Sequence, residues 1–225
     1  MKTSKIIFVS LLGVIALVIL GGFVAARFTG KRNVAGIVNK QIIPSFKVIY
    51  IKNCDVSLSY GDSSFISVTG KKDFPFSEIN YKLTNDTLRI SDIRFSQDSN
   101  KRVIIYSTDS LNTIEVVNSD LTIDKFGSKK LRLSSENSFV RFNRNLKDEV
   151  AFNSLSIIAK KHSTIDSDDF KTNNLNIFLE KSEADLNITA LRISGTLSDS
   201  SSISIKQADD ISIKKDSTCR ISINN

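Results

Sequence analysis

Apolar and polar residues alternate with a period of two through most of the chain after about residue 46. Clear examples are Val56/Leu58/Tyr60, Leu121/Ile123 and Leu175/Ile177/Leu179. The runs are short, rich in β-branched residues, and bounded by Asn, Asp, Ser or Lys, as half-buried strands are. The helical period of 3.6 residues does not appear in this region. The pattern therefore predicts an all-β domain over residues 46–225.

The second half of this domain also repeats itself. Apolar anchors at the start of each repeat are spaced by 20, 24, 20, 16 and 20 residues: Leu111, Leu131, Leu155, Leu175, Leu191 and Ile211. A polar turn and a second short strand lie between most anchors, as at Asn118-Ser119-Asp120 and Asn137-Ser138. A repeat of this length cannot bury its apolar face alone, whereas stacked repeats form a continuous core. We therefore predict a single-stranded β-solenoid, or β-helix, in which the anchors stack on one another.

An antiparallel β-sandwich is the alternative fold, because it also has short strands at regular spacing. Its hairpins favour turns such as Asn-Gly and Asp-Gly. The domain has few glycines, at Gly61, Gly70, Gly127 and Gly195, which favours the solenoid. The open ends of a solenoid expose unpaired strand edges. Capping by a neighbouring segment, or self-association through the solenoid ends, is therefore expected.

The first 45 residues have a different pattern. Residues 6–26 contain 21 residues without a charge, which as a helix would span about 31 Å, the thickness of a hydrocarbon core. We predict a transmembrane helix here, between a short basic tail at residues 1–5 and a juxtamembrane linker at residues 27–45. An uncleaved signal anchor is favoured over a cleaved signal peptide, whose apolar stretch is usually shorter. The chain is thus predicted to cross the cell membrane once, with its C-terminal domain extracytoplasmic, in the periplasm or at the cell surface.

The net charge of +7 belongs mainly to these membrane flanks. Six of the 31 Lys and Arg residues lie in residues 1–45, which contain no Asp or Glu, so the other 25 nearly balance the 24 acidic residues. A domain without a basic stripe is a poor match to the phosphate backbone. Nucleic acid is therefore not expected as a partner.

A family resemblance is carried by the opening strands of the domain. The segments that carry it are Phe46-Lys47-Val48-Ile49-Tyr50-Ile51, Val56-Ser57-Leu58-Ser59-Tyr60-Gly61, Ile66-Ser67-Val68-Thr69-Gly70, Ile79-Asn80-Tyr81-Lys82-Leu83 and Asp86-Thr87-Leu88-Arg89-Ile90. They resemble the start of the auto-transporter adhesin head domain, also called the GIN domain, a family of unknown function widespread in Bacteroidetes. The resemblance covers residues 46–225 and implies a right-handed β-solenoid at the cell surface or in the periplasm. Asn-Ser and Asp-Ser steps replace the glycine-rich turns of that family, and Asn and Asp tolerate the left-handed backbone that such turns need.

Few side chains suggest catalysis or metal binding. His162 is the only histidine and lies in a polar turn, which predicts a solvated residue. Cys54 and Cys219 are isolated, so each is expected to be a small buried hydrophobe, and in a rod they would lie too far apart for a disulfide. No glycine-rich phosphate loop or nucleophile elbow occurs. We predict no catalytic, cofactor-binding or metal-binding residues, no cofactor and no enzymatic activity.

Two further groups of side chains are candidates for function. Acidic clusters at Asp166, Asp168 and Asp169 and at Asp209-Asp210 match the carboxylates that polysaccharide lyases and hydrolases use. Aromatic residues near turns or strand ends are candidates for core, capping or binding roles: Phe74, Phe76, Phe95, Phe126, Phe152 and Phe170. The favoured function is a membrane-anchored, non-catalytic adhesion, interaction or structural module that contacts a surface glycan or an envelope protein. The alternative is a carbohydrate-active enzyme acting through Asp166 and Asp168.

Overall fold

The computed structural model describes residues 37–70, 79–93, 102–108, 110–143 and 150–223. Residues Ile37–Asn225 form one compact unit. The described part of this unit contains strands and turns and no helix, so the all-β prediction is confirmed. Within these ranges no helix is long and apolar enough to cross a membrane. The predicted transmembrane helix at residues 6–26 lies outside the described residues, as do the tail at residues 1–5 and most of the linker.

The strands belong to one sheet of 16 members. In chain order they are β1 (Ile37–Ile42), β2 (Val48–Lys52), β3 (Asp55–Tyr60), β4 (Phe65–Gly70), β5 (Asn80–Thr84), β6 (Thr87–Ser91), β7 (Arg102–Ser107), β8 (Thr113–Val117), β9 (Asp120–Asp124), β10 (Ser128–Glu136), β11 (Phe139–Asn143), β12 (Val150–Lys160), β13 (Thr164–Glu180), β14 (Glu183–Ser198), β15 (Ser202–Lys215) and β16 (Arg220–Ile223).

The sheet folds into two parallel ladders that meet at a corner. The first, here called the long ladder, has the order β6-β2-β8-β10-β12 and continues with the second parts of β13, β14 and β15. The second, the short ladder, has the order β7-β3-β9-β11 and continues with the first parts of β13, β14 and β15, then β16. From β8 onward the chain coils through both ladders in sequence order for about 5 turns. The predicted β-solenoid is confirmed; its right-handedness stays a prediction.

The first layers are not wound in sequence order. Strands β2 and β3 form one layer, which has the layer of β6 and β7 on one side and the layer of β8 and β9 on the other. Both neighbouring layers come later in the chain than β2 and β3. Beyond them, β5 pairs antiparallel with β6, β4 with β7, and β1 with β4. The N-terminal end of the solenoid is thus covered by antiparallel strands, which the period of two could not distinguish from further parallel layers.

The anchor stack is confirmed with two corrections. Leu131, Leu155 and Leu175 lie opposite one another in neighbouring strands. The next member is Ile193, not the predicted Leu191, and Ile211 follows it. Leu191 is 53% exposed, because it and Arg192 both point outward between the buried Ala190 and Ile193 and so break the alternation.

The second correction concerns the first anchor. Leu111 is fully buried but precedes β8, and the register of β8 with β10 places Asn112 opposite Leu131. The backbone confirms this, since Arg132 N–H donates to the carbonyl oxygen of Asn112 at 2.8 Å. Leu111 therefore joins the core without joining the stack.

Phenylalanines fill the side of the core away from the corner. Phe142, Phe152 and Phe170 are buried, with ring centroids 5.7 to 6.1 Å apart. Phe126 is also buried. The core role predicted for Phe126, Phe152 and Phe170 is confirmed, whereas Phe74, Phe76 and Phe95 lie outside the described residues.

Candidate functional site

The corner between the two ladders is built from a column of small buried residues. We call it the corner column; its members, in spatial order, are Cys54, Ser119, Ser138, Ser163, Ser182, Ser201 and Cys219. Backbone hydrogen bonds join neighbouring members of the column. The carbonyl oxygen of Cys54 accepts the N–H of Asp120, which follows Ser119, at 2.9 Å. The same bond recurs at each step up to Ser201, which accepts the N–H of Arg220 at 3.0 Å. The corner therefore continues the hydrogen bonding of both ladders.

The serine hydroxyls close each turn and link it to the next. Ser138 Oγ donates to the carbonyl oxygen of Glu136 at 2.7 Å and accepts the N–H of Ser119 at 3.1 Å. Ser119 Oγ repeats the pattern, donating to Val117 and accepting the N–H of Cys54 at 3.0 Å. Buried polar groups are costly unless they are paired in this way. These hydrogen bonds therefore fix the backbone of the corner, and with it the positions of the neighbouring side chains.

The residue before every corner position except Cys219 has a left-handed backbone. Asn53, Asn118 and Asn137 have φ of 53°, 49° and 47°, and Lys181 has 49°. The amide of Asn137 donates to Asn118 Oδ1 at 2.9 Å, so adjacent turns are joined by a short amide ladder. The prediction that Asn-Ser steps would serve as turns is confirmed for Asn118 and Asn137. Lys181 adopts the same backbone conformation, although its side chain gains no local hydrogen bond there as that of Asn does.

A groove runs along the outside of this corner. One concavity of about 430 Å³ lies beside Asp120, Asn137 and Phe139. It shares His162 and Thr164 with a second of about 530 Å³, which reaches Glu183 and Ser200. A third of about 720 Å³ shares Thr164 and Glu183 and extends to Arg220 in the last layer. The three concavities together define what we call the corner groove.

One row of outward residues forms the floor of the corner groove on the short ladder. In register it reads Asp55, Asp120, Phe139, Thr164, Glu183, Ser202 and Arg220. With layers about 4.8 Å apart, six steps extend about 29 Å. The row offers carboxylates, hydroxyls, a guanidinium and the 39% exposed ring of Phe139. Such a surface provides hydrogen bonds at regular intervals to an extended polar ligand.

The acidic residues predicted as a catalytic alternative are paired with basic groups. Arg141 Nε lies 3.6 Å from Asp166 Oδ2, and Arg141 Nη2 lies 3.5 Å from Asp168 Oδ1. Lys206 Nζ lies 2.6 Å from Asp169 Oδ2. Asp209 and Asp210 are exposed on β15 at the bend opposite the corner. The structure therefore brings Asp166 and Asp168 together around one guanidinium.

The histidine and cysteines have the surroundings that the sequence predicted. His162 is exposed in its turn and lines the corner groove. Cys54 and Cys219 are buried free thiols at the two ends of the corner column, about 29 Å apart by the layer spacing. Burial raises the pKa of the Cys54 thiol, which also donates to the carbonyl oxygen of Lys52 at 3.0 Å. Among the described residues, no three His, Cys, Asp or Glu side chains form a group that could hold a metal ion.

Sequence reasoning missed the exposed aromatic residues. Phe139 lies before the inward Val140, and Phe178, which is 36% exposed, lies between the inward Ile177 and Leu179. Lys160 Nζ lies 5.4 Å from the centre of the Phe178 ring. The alternation contained the necessary signal, because a residue between two inward positions of a strand points outward.

The fold is shared with solved structures of bacterial proteins. A putative adhesin of Bacteroides fragilis is 16% identical, with 83% of this chain and 96% of that chain covered and a TM-score of 0.54. A putative lipid binding protein of Parabacteroides distasonis is 13% identical, with coverages of 84% and 97% and the same TM-score. No family model and no curated protein matches the sequence. The chain thus shares its fold with these two bacterial proteins, and membership of the GIN family stays a prediction.

Proposed function

We propose that this chain is a non-catalytic interaction module whose corner groove binds an extended surface glycan. The observation that carries the proposal is the row from Asp55 to Arg220, which presents a polar side chain in every layer except that of the exposed Phe139 ring. Carboxylates and hydroxyls can bind sugar hydroxyls, and an aromatic face supports apolar contact with a sugar ring. The structural likeness to a putative adhesin is consistent with this role.

Glycan binding can be tested with a matched pair of aromatic substitutions. The full chain would be screened against a panel of bacterial surface polysaccharides, and affinity measured by calorimetry for those that bind. We expect F139A to weaken binding at least about tenfold, since stacked aromatic side chains contribute on the order of 1–3 kcal/mol. F178A, a similarly exposed ring on the long ladder, should leave the affinity unchanged. The proposal would be contradicted if no polysaccharide bound, or if both variants lost affinity equally. Binding of an envelope protein through Phe139 would show that the ligand is a protein instead of a glycan.

We also propose that residues 6–26 anchor the chain in the membrane with the solenoid extracytoplasmic. The support is the run of 21 uncharged residues flanked by Lys2, Lys5, Arg27 and Lys31. The full chain should sediment with membranes and resist extraction at high pH, and a chain lacking residues 6–26 should not. Protease added outside the cytoplasmic membrane should digest the solenoid. Protection of the solenoid, or a mature chain that begins after residue 26, would overturn this topology.

Lack of enzymatic activity is part of the same proposal. Arg141 contacts both Asp166 and Asp168, so these carboxylates form a structural charge cluster. The full chain is expected to release no product from any polysaccharide that it binds. Turnover that is abolished by D166N or D168N would instead establish a carbohydrate-active enzyme.

A further inference from the structure

We infer that residues 207–215 of β15 form a two-fold interface with the same segment of a second copy. The two segments pair antiparallel, with Ser212 opposite Ser212, at the C-terminal end of the long ladder. The inference is independent of the corner groove. It rests on an uncovered strand edge and on the order of charges along that edge.

The edge is the outer side of the last long-ladder strand. On its inner side, this part of β15 pairs with β14, from Gln207 to Lys215. On its outer side, no strand among the described residues pairs with it, because β16 pairs only with residues 202–205. The N-terminal end differs, since β5 covers β6 there. A long unpaired edge exposes a row of N–H and C=O groups that readily accepts another strand.

The apolar side chains of this layer are also less buried than those beneath them. Ile211 and Ile213 are only partly buried, whereas Ile193 and Ile177 of the preceding layers are 1% and 0% exposed. At the end of the short ladder, Ile223 is 44% exposed. A further layer over this end would complete the burial of Ile211 and Ile213, which favours association.

The order of charges on this edge is self-complementary. The sequence around Ser212 is Asp209-Asp210-Ile211-Ser212-Ile213-Lys214-Lys215, with two acids before the centre and two lysines after it. When two copies run antiparallel about Ser212, Asp210 lies opposite Lys214 and Ile211 lies opposite Ile213. Opposite charges in such cross-strand pairs are stabilising, and like charges are destabilising. Parallel pairing in register would place like charges together, so the sequence specifies both direction and register.

Equivalent segments of the covered strands lack this pattern. The aligned stretch of β14, residues 191–197, is Leu-Arg-Ile-Ser-Gly-Thr-Leu, and that of β13, residues 173–179, is Asn-Asn-Leu-Asn-Ile-Phe-Leu. Neither contains an acid and a base placed symmetrically about its centre. The self-complementary order therefore occurs on the strand whose edge is exposed, which points to a second copy as the occupant.

Charge reversal tests the pairing. For the full chain in sedimentation velocity experiments, D210K and K214D should each weaken dimerisation at least about tenfold, because each places like charges opposite one another twice. An equimolar mixture of the two variants should form a heterodimer, since the two lysines of D210K at positions 210 and 214 then lie opposite the two aspartates of K214D at positions 214 and 210. The double variant D210K/K214D should dimerise like the parent. E115K, a reversal at an exposed position of β8 in the same ladder, is the control.

These outcomes separate the proposed interface from other associations. If the chains associate through residues 6–26 instead, none of these variants should change the association. If the mixture forms no heterodimer, the inference is wrong. A parent chain that is monomeric at all concentrations would overturn it as well. Binding of glycan by D210K should equal that of the parent chain, and F139A should leave dimerisation intact, so this inference and the proposed function can fail separately.

Cross-linking tests the register directly. Ser212 is exposed, and two antiparallel partners at the two-fold axis have Cα atoms about 4.5 to 5.5 Å apart, which a disulfide can bridge. S212C should therefore oxidise to a covalent dimer. Ser194 lies opposite Ser212 one layer inward, so two copies of S194C would lie about 14 Å apart and should not cross-link. Equal cross-linking of the two variants, or none, would refute the register.

Discussion

Single serine residues hold the corner of the solenoid closed. Each hydroxyl of the corner column has a defined partner, and the two cysteines occupy the same structural position at its ends. The alternation of the sequence marked these serines only as turn residues. Their burial follows from the register between repeats, because Ser119, Ser138, Ser163 and Ser201 each accept an N–H from the layer beside them.

Ser138 allows a direct test of the corner column. S138A would leave the buried N–H of Ser119 without its acceptor, and we expect a loss of about 1–3 kcal/mol in the free energy of unfolding. S138C should cost less, because Cys54 accepts the N–H of Ile93 and donates to Lys52 at the equivalent position. Chemical denaturation would measure both variants against S194A on the exposed face. Equal losses for S138A and S194A would contradict this account.

Position 195 leaves no space for a side chain, because two neighbouring layers approach each other closely there. A Cβ at this position would overlap the backbone carbonyl of Ile177, lying 2.8 Å from its carbon atom. G195A should therefore destabilise the fold by roughly 1–3 kcal/mol or more, as overpacking does. Thermal unfolding would test it, with the neighbouring exposed T196A as the control. An unchanged melting temperature for G195A would show that the two layers separate easily.

The strands and their inward faces were predictable from the sequence, whereas their pairing was only partly so. Period two identifies which residues of a strand share a face, but it carries no information on strand direction. The antiparallel pairing of β4 and β5 was accordingly missed. The choice of Leu191 was wrong because two consecutive outward residues, Leu191 and Arg192, shift the inward position to Ile193. Counting intervals between leucines cannot detect such a shift.

The revised stack makes a quantitative prediction for two leucines. Leu155 is fully buried between Leu131 and Leu175, so L155A should reduce the free energy of unfolding by about 2–5 kcal/mol. L191A removes a mostly exposed side chain and should change it by less than about 0.5 kcal/mol. Denaturant titration of both variants measures the difference. A larger loss for L191A than for L155A would contradict the revised stack and favour Leu191 as the anchor.

The turn before β16 depends on one carboxylate. Asp216 accepts the Thr218 hydroxyl at 2.6 Å and the Asp199 N–H at 2.9 Å. These hydrogen bonds hold the pKa of the Asp216 carboxyl far below its usual range, so its stabilising effect is complete above the unfolded pKa of about 4 and is lost as the pH falls toward the folded value.

Replacement of Asp216 should therefore have an effect that depends on pH. D216N should lower the melting temperature at about pH 7, because an amide nitrogen cannot accept the Asp199 N–H. The difference from the parent should shrink as the pH falls below about 4. Calorimetric scans across this range provide the measurement, and S217A in the same turn is the control. A difference that grows toward acid would refute the assigned role.

The corner groove is a property of the whole molecule, and the sequence alone could not reveal it. Asp120, Phe139 and Glu183 belong to different repeats and become neighbours in one row only once the register is known. The acidic cluster at Asp166 and Asp168 was easier to notice because its members are adjacent in sequence. Nothing in that stretch indicated that Arg141, from an earlier repeat, would lie against both of them.

The interleaved position of β2 and β3 constrains how the protein acquires its structure during synthesis. These strands are made before all of their partners, which extend to Asp124 of β9 on one side and to Ser107 of β7 on the other. Their second edge therefore stays unpaired until β8 and β9 have been made, about 65 residues after the end of β3. Assembly by simple addition from the amino terminus is not available to this chain, whereas the turns that follow β9 can each add to a surface that already exists.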